Sequence, residues 1–376
     1  MQEYSPCESK AFDLEKYSSL VSKESSHMDD IKEHVIKKDL KIIYKNIIFD
    51  DDDDTIPFHS TLEEELLKGI KHVEIDNCVF KKNVFINVSF ETLSIKQSCF
   101  EGKFYINNQY NNSDRVLQVE ALNIEDVKFY ANFKLHNCEL KNFALKGTDF
   151  EKNADFFQTK FFTNQDIVFH SINFRALALF GDTFFKEHLL FEYVTFTGYS
   201  HFRKATFRKG LNLEYANIEK EMNFFGVKEL DKKPSVKLTS QETYRTVKYQ
   251  LQKVGNIIES NKYHALELQK KKESICKCSC EFIKIIPDCL TLSIHKVSSN
   301  YSTNWVWALG WILAVGVLTS YILTDKLFYN EFYKYSSLLS SLDDFYCVYW
   351  LFMLNKIILG YLYYQFVTAV RKDTRK

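Results

Sequence analysis

One feature of this chain limits its possible folds more than any other. Phe169, Phe174, Phe180, Phe185, Phe191, Phe196, Phe202, Phe207, Leu213, Ile218 and Phe224 follow one another at steps of five and six residues. Helical faces recur about every 3.6 residues and strand faces about every 2, so a fixed eleven-residue period marks a repeat architecture. The register continues upstream in steps of five through Ile75, Phe80, Phe85, Phe90, Ile95, Phe100 and Tyr105, then Leu135, Leu140, Leu145 and Phe150. Two positions earlier stand smaller side chains such as Cys78, Cys138, Thr148, Ile172, Thr183, Val194, Ala205 and Ala216. A large residue at the centre of each five and a small one before it fill a narrow core, while the intervening Lys, Glu, Asn and Arg face water. The pattern predicts a β solenoid over residues 72–226, square in section, with Phe80, Phe90, Phe100, Phe174, Phe185, Phe196 and Phe207 in its core. A β-sandwich is disfavoured because irregular turns separate its strands.

This pattern resembles the pentapeptide-repeat family, and the resemblance covers the middle two-fifths of the chain. It implies an all-β, right-handed quadrilateral parallel β-helix, with the extra sixth residue of alternate steps widening the corners. At about 4.8 Å per strand and roughly twenty-two residues per coil, the stretch makes about seven coils and about 34 Å of rod. The Asn-rich stretch from Asn107 to Asp114 breaks the register and reads as a loop. Phe is frequent at 33, while Gly and Pro total only 11 and 4, which excludes a disordered or linker-rich chain. Lys and Arg balance Asp and Glu at 49 each, so no global basic field invites nucleic acid. The scattered cysteines and the lack of a recognisable secretory signal lead us to expect a reducing cytoplasmic setting.

The C-terminal third has a different character. Trp305 to Leu323 carries no charge and includes Trp305, Trp307 and Trp311. It matches the roughly twenty residues that cross a bilayer core of about 30 Å. A second apolar stretch, Tyr346 to Val370, is interrupted only by Asn355, Lys356 and Gln365 and reads as a second transmembrane helix. Lys270–Lys272, Lys277, Lys284 and Lys296 precede the first span, and Arg371, Lys372, Arg375 and Lys376 follow the second. Both termini are therefore expected on the cytoplasmic side. The family resemblance makes that membrane a bacterial inner membrane.

Between coil and membrane, Tyr244, Val247, Leu251 and Val254 recur at helical spacing behind a Thr239–Glu242 capping box, and Gly255-Asn256 ends that helix. Ile257, Ile258, Leu266 and Leu268 carry a second helix. The sequence YRTVKYQLQKVGNIIESNKYHALELQKKK resembles the helical connector of membrane-attached pentapeptide-repeat proteins, as do KVSSNYSTNW before the first span and GYLYYQFVTAVRK at the end. The expected organisation has an N-terminal segment at 1–71, the solenoid at 72–226 and a helical hairpin capping the coil at 239–274. A juxtamembrane segment at 275–304, a two-span region at 305–370 and a basic tail at 371–376 follow. Within the first segment, IIYKNIIF (Ile42 to Phe49) reads as a strand and TLEEELLKGI (Thr61 to Ile70) as a helix, together a cap for the first coil.

Members of this group are sometimes likened to two-span ion channels. Here the loop from Thr324 to Phe345 has room for a short pore helix, and Asp343 and Asp344 could form a cation-favouring ring, but no TVGYG-like filter is present. Lys356 lies near the middle of the second span, where an ammonium must find partners, with Asn355 beside it. Cys276, Cys278 and Cys280 form a CKCSC run with Cys289 and His295 farther on, a poor zinc spacing. Asp50 to Asp54 lack the rest of an EF-hand loop. No nucleophile elbow, phosphate loop or HExxH pair occurs, so neither an enzyme nor a cofactor is expected. The leading expectation is a membrane-anchored scaffold offering the rod to an unidentified protein partner. Second comes an oligomeric, channel-like subunit. Third is a gyrase-protecting DNA mimic, weakened by the outward basic residues Arg203, Lys204, Arg208 and Lys209.

Overall fold

The computed structural model describes residues 35–38, 40–49, 62, 65–107, 116–275, 282–324, 332–345 and 348–374, in two compact units divided after Ser240. The first unit is a parallel β-solenoid of about seven turns. Coils stack in register, with Ile75 on Ile95, Ile95 on Ile124, Ile124 on Leu145, Leu145 on Phe169 and Phe169 on Phe191. Cross-coil partners lie 20 to 24 residues apart, and 29 where the Asn-rich stretch intervenes. Of that stretch, 108–115 lie outside the described residues, as does the acidic run Asp50–Asp54. Lys41–Lys45 and Ile48–Phe49 pair in parallel with His72–Asp76 and Val79–Phe80. IIYKNIIF is thus a rung of the solenoid, which extends upstream of residue 72.

The period in the sequence becomes columns of rings. Phe49, Phe80, Phe100, Phe129, Phe150, Phe174 and Phe196 stack in one file with centroids 4.5–5.2 Å apart. Phe156, Phe180, Phe202 and Phe224 form a second file, and Phe161, Phe185 and Phe207 a third. The spacing of strands, about 4.8 Å, is close to that of stacked rings, so one Phe per coil at a fixed position satisfies both. Phe90 is buried as well. Phe85 departs from the five-step count: Val84 and Ile86 point inward and leave it half-buried, because strand alternation overrides the longer period.

The small inward residues have a second duty. Asn77, Gln97, Asn137 and Gly147 take left-handed conformations at corners. The residue after each corner, Cys78, Ser98, Cys138 or Thr148, donates its thiol or hydroxyl to the carbonyl two residues back. Burial pushes the Cys78 thiol up to about 11, so it stays a protonated donor. At Gly198 a Cβ would lie 1.9 Å from the Ala176 carbonyl oxygen on the coil below. Gly198→Ala is therefore expected to cost about 1–3 kcal/mol of solenoid stability through overpacking, read as a lower denaturation midpoint in far-UV circular dichroism.

A short helix absent from the sequence reading, α1 (Lys233–Leu238), closes the unit. Thr239 Oγ1 donates to Ser235 O at 2.9 Å and accepts from Leu211 N on the last long strand at 3.3 Å. Thr239 thus serves α1 and the coil, and Glu242 bonds Arg245 instead of completing the expected capping box.

The second unit holds α2 (Gln241–Lys253) and α3 (Ile257–Ile275), joined at Gly255, whose φ is +77°. Tyr244, Val247, Leu251 and Tyr263 are buried between them, whereas Val254 and Ile258 are exposed. Next comes α4 (Phe282–Ser299), where the sequence reading placed only a juxtamembrane segment. Then follow α5 (Trp305–Thr324), the short α6 (Phe332–Ser336), a 3-10 turn at Asp343–Phe345 and α7 (Tyr349–Thr374).

Candidate functional site in the helical unit

Two polar clusters bind the helices of the second unit together. In the first, Asn355 on α7 is 2% exposed. Its Nδ2 donates to Thr319 Oγ1 on α5 at 3.0 Å and to the Tyr335 carbonyl on α6 at 3.2 Å. Lys356 Nζ donates to the carbonyls of Ser337 at 2.9 Å and Leu338 at 3.2 Å and to Ser340 Oγ at 2.5 Å. An ammonium has three donors, and these oxygens use all of them. The rings of Phe345 and Phe352 flank it at 5.7 and 5.3 Å. Asp344 Oδ2 accepts from Ser341 N and Oγ, and Asp343 is exposed. Two backbone carbonyls and the Ser340 hydroxyl, rather than this acidic pair, accept from Lys356. α6 lies tight on α5, since a Cβ at Gly316 would fall 1.8 Å from Ser336 Oγ. Tyr363 OH on α7 donates to the Ser336 carbonyl.

In the second cluster, Asn300, Tyr301 and Ser302 are left-handed in succession and turn the chain from α4 into α5. Gln365 on α7 is 4% exposed, and its Oε1 accepts from Ser299 Oγ at 2.9 Å and Ser302 Oγ at 2.6 Å. Ser302 has only one proton to give, so His295 Nε2, 2.9 Å away, must donate to it. His295 is neutral there because burial, then Lys372 and His264, push its pKa down. In the sequence Gln365 is only an interruption of an apolar run. The hydroxyl-rich SSNYS turn is the signal that pairs with it.

Nearby, Glu267 accepts from Lys248 at 2.7 Å and Arg245 at 3.0 Å. Burial raises its pKa, but those hydrogen bonds outweigh burial and leave it below the usual carboxylate range. His264 is lowered by burial and then by Lys372 and Lys248. With folded pKa values below the ordinary 6.5, His264 and His295 refuse protons that the unfolded chain accepts, so stability falls as pH drops below that value. Glu267 adds a further loss only at lower pH, through its own depressed pKa. The thermal midpoint of tryptophan emission, which reads this unit because all 4 Trp lie in it, is expected to fall from about pH 7.5 to about pH 5. A midpoint unchanged over that range would contradict it.

By length and composition α5 alone among the described helices suits a membrane crossing, over Trp305–Leu323, and only 28% of that stretch is buried. Of the two spans expected, α5 meets that measure, whereas Asn355, Lys356, Gln365 and several tyrosines keep α7 below that apolarity. Cys276, Cys278 and Cys280 lie outside the described residues. Cys78 and Cys138 are free thiols, and Cys289 is disulfide-bonded. No group of three His, Cys, Asp or Glu among the described residues could hold a metal ion. No family model, curated protein or solved structure matches this chain.

Proposed function

We propose that this protein is a membrane-anchored scaffold of pentapeptide-repeat type, without catalytic activity, which presents its solenoid to a protein partner at the cytoplasmic face of a bacterial inner membrane. The observation that carries the reading is the inverted polarity of α7. Trp350, Met353, Ile357 and Val367 face outward at 59–68% exposure, while Asn355 and Gln365 are buried at 2% and 4%. A helix in water places these groups the other way round, whereas a lipid-facing helix hides its amides among protein partners. On this reading α7 is the second span beside α5, and Trp305, Trp307, Leu318 and Ile322 of α5 are likewise exposed. Asn355 bonds Thr319 across the two spans, and the other polar groups of α7 find their partners in α6, the loop after it and the turn before α5. The outer surface of the solenoid alternates in charge from coil to coil, as in Lys71–Glu91, Lys160–Glu139 and Arg175–Glu151. This is a poor imitation of a uniformly acidic nucleic acid.

A second reading, a conducting oligomer, is favoured by one feature: α6 and the loop after it fold back between two long helices. In that reading Lys356 already occupies the loop carbonyls a cation would seek. Proteoliposomes separate the two. The scaffold is expected to stay in the membrane after alkaline extraction and to give ion flux no higher than empty vesicles. Flux that changes in Lys356→Met would replace the scaffold with the channel.

A further inference from the structure

One face of the solenoid repeats a small local device. On three coils the side chain that opens a short turn accepts a hydrogen bond from the amide two residues on. Phe157 N donates to Asp155 Oδ1 at 3.1 Å, Arg203 N to His201 Nδ1 at 3.4 Å and Phe225 N to Asn223 Oδ1 at 2.8 Å. The register is continuous, with Asp155 beneath Leu179, Leu179 beneath His201 and His201 beneath Asn223. Leu179 therefore holds the acceptor's place on its own coil, and a leucine side chain accepts nothing. The amide it would serve belongs to Gly181, a buried residue whose N–H has no acceptor among the described residues.

Gly181 lines a hollow of ≈ 580 Å³ together with Leu179, Phe157, His201 and Arg203 among others. Gly181 leaves the hollow open: a Cβ there would press on the Phe157 ring at 3.2 Å. Phe157 and Leu179 give it an apolar wall and floor. Asp155, which lies 2.8 Å from His136, and the corner residues Asp182 and Lys204 on successive coils also line it. Arg203 has its guanidinium 5.5 Å from the Phe225 ring and no carboxylate within ion-pair distance among the described residues. An amide and a guanidinium, neither with a partner among the described residues, beside an apolar wall suit a carboxylate on a short apolar stem.

We propose that this hollow binds an acidic side chain, next to an aromatic one, in a peptide segment of the partner protein, the ligand carboxylate taking the acceptor role that Asp155, His201 and Asn223 fill on other coils. The proposal rests on the reading of the solenoid as an interaction surface.

The test uses the full chain in detergent with a dye-labelled peptide Gly-Asp-Phe-Asp-Gly, its Asn counterpart and phenylacetate. The acidic peptide is expected to bind at least about tenfold more tightly than the Asn peptide. Leu179→Asn, which installs the internal acceptor seen at Asn223, and Arg203→Gln are each expected to weaken it by about tenfold. Leu179→Asn should also leave the solenoid's denaturation midpoint at or above that of the parent, which shows that weaker binding is not misfolding. Equal binding of both peptides, or binding unmoved by both substitutions, would overturn the proposal. So would binding of phenylacetate without the peptide, which would make the hollow a small-molecule pocket. None of these outcomes alters membrane retention or ion flux, so the docking site can fail while the scaffold stands.

Discussion

Phe150→Ala is expected to destabilise the solenoid by about 3–5 kcal/mol, a large part of the roughly 5–15 kcal/mol that holds a domain together. Phe150 is 1% exposed. Its ring stacks on Phe129 at 5.2 Å and Phe174 at 5.1 Å and meets Phe133 and Phe156 edge-on. Each coil is held mainly by its two neighbours, so a cavity in a middle coil weakens both interfaces at once and neither end can compensate. Tyr199→Ala, at a residue 56% exposed, is the control and should move stability by no more than about 0.5 kcal/mol. Far-UV circular dichroism during denaturation reads the coil, and tryptophan emission reads the helical unit. The coil transition alone should shift in Phe150→Ala. If the two variants unfold alike, the stacked column is not what holds the rod together.

The column was legible because its cause is a sequence period. A residue that returns to the same place on every coil must repeat at the coil's length, and nothing else yields steps of five and six. Details with local causes were not legible in that way. The slip at Phe85 comes from strand alternation around Val84 and Ile86, which competes with the longer count. The small inward positions read as space-filling in the sequence, yet Cys78, Ser98 and Thr148 also bond a carbonyl behind a left-handed corner, a role set by backbone conformation. α4 escaped notice because Pro287 interrupts its helical pattern.

At the candidate site the gap has a single origin. Residue types announce charges and amides, but backbone carbonyls belong to every residue and leave no mark in a sequence. Lys356 was legible as a residue needing partners, and Asn355 as its neighbour. That Ser337 and Leu338 supply carbonyls depends on where α6 ends and how the loop turns back. Gln365 and its two serines are 63 and 66 residues apart, a separation no local pattern bridges.

Lys356→Met is expected to cost the helical unit about 1–3 kcal/mol, because it strips a donor from the Ser337 and Leu338 carbonyls and from Ser340 Oγ, although Ser337 O keeps the Ser340 hydroxyl. Methionine keeps the length and apolar stem, so the loss isolates the ammonium. The loop from Ser337 to Ser340 would lose its tie to α7, while Asn355 would still hold the end of α6 through the Tyr335 carbonyl. The damage should therefore concentrate in the loop. Lys356→Arg, which keeps a cation and several donors but changes their geometry, should recover part of the loss. The readouts are the thermal midpoint of tryptophan emission and protease cleavage after Leu338 or Leu339, the latter 95% exposed already. The expected result is a lower midpoint and faster cleavage in Lys356→Met, an intermediate position for Lys356→Arg, and an unchanged solenoid transition in both. Were Lys356→Met as stable and as resistant as the parent chain, the oxygens left by the ammonium would have to be satisfied by water or by the Ser340 hydroxyl. The ammonium would then not be what ties the loop to α7.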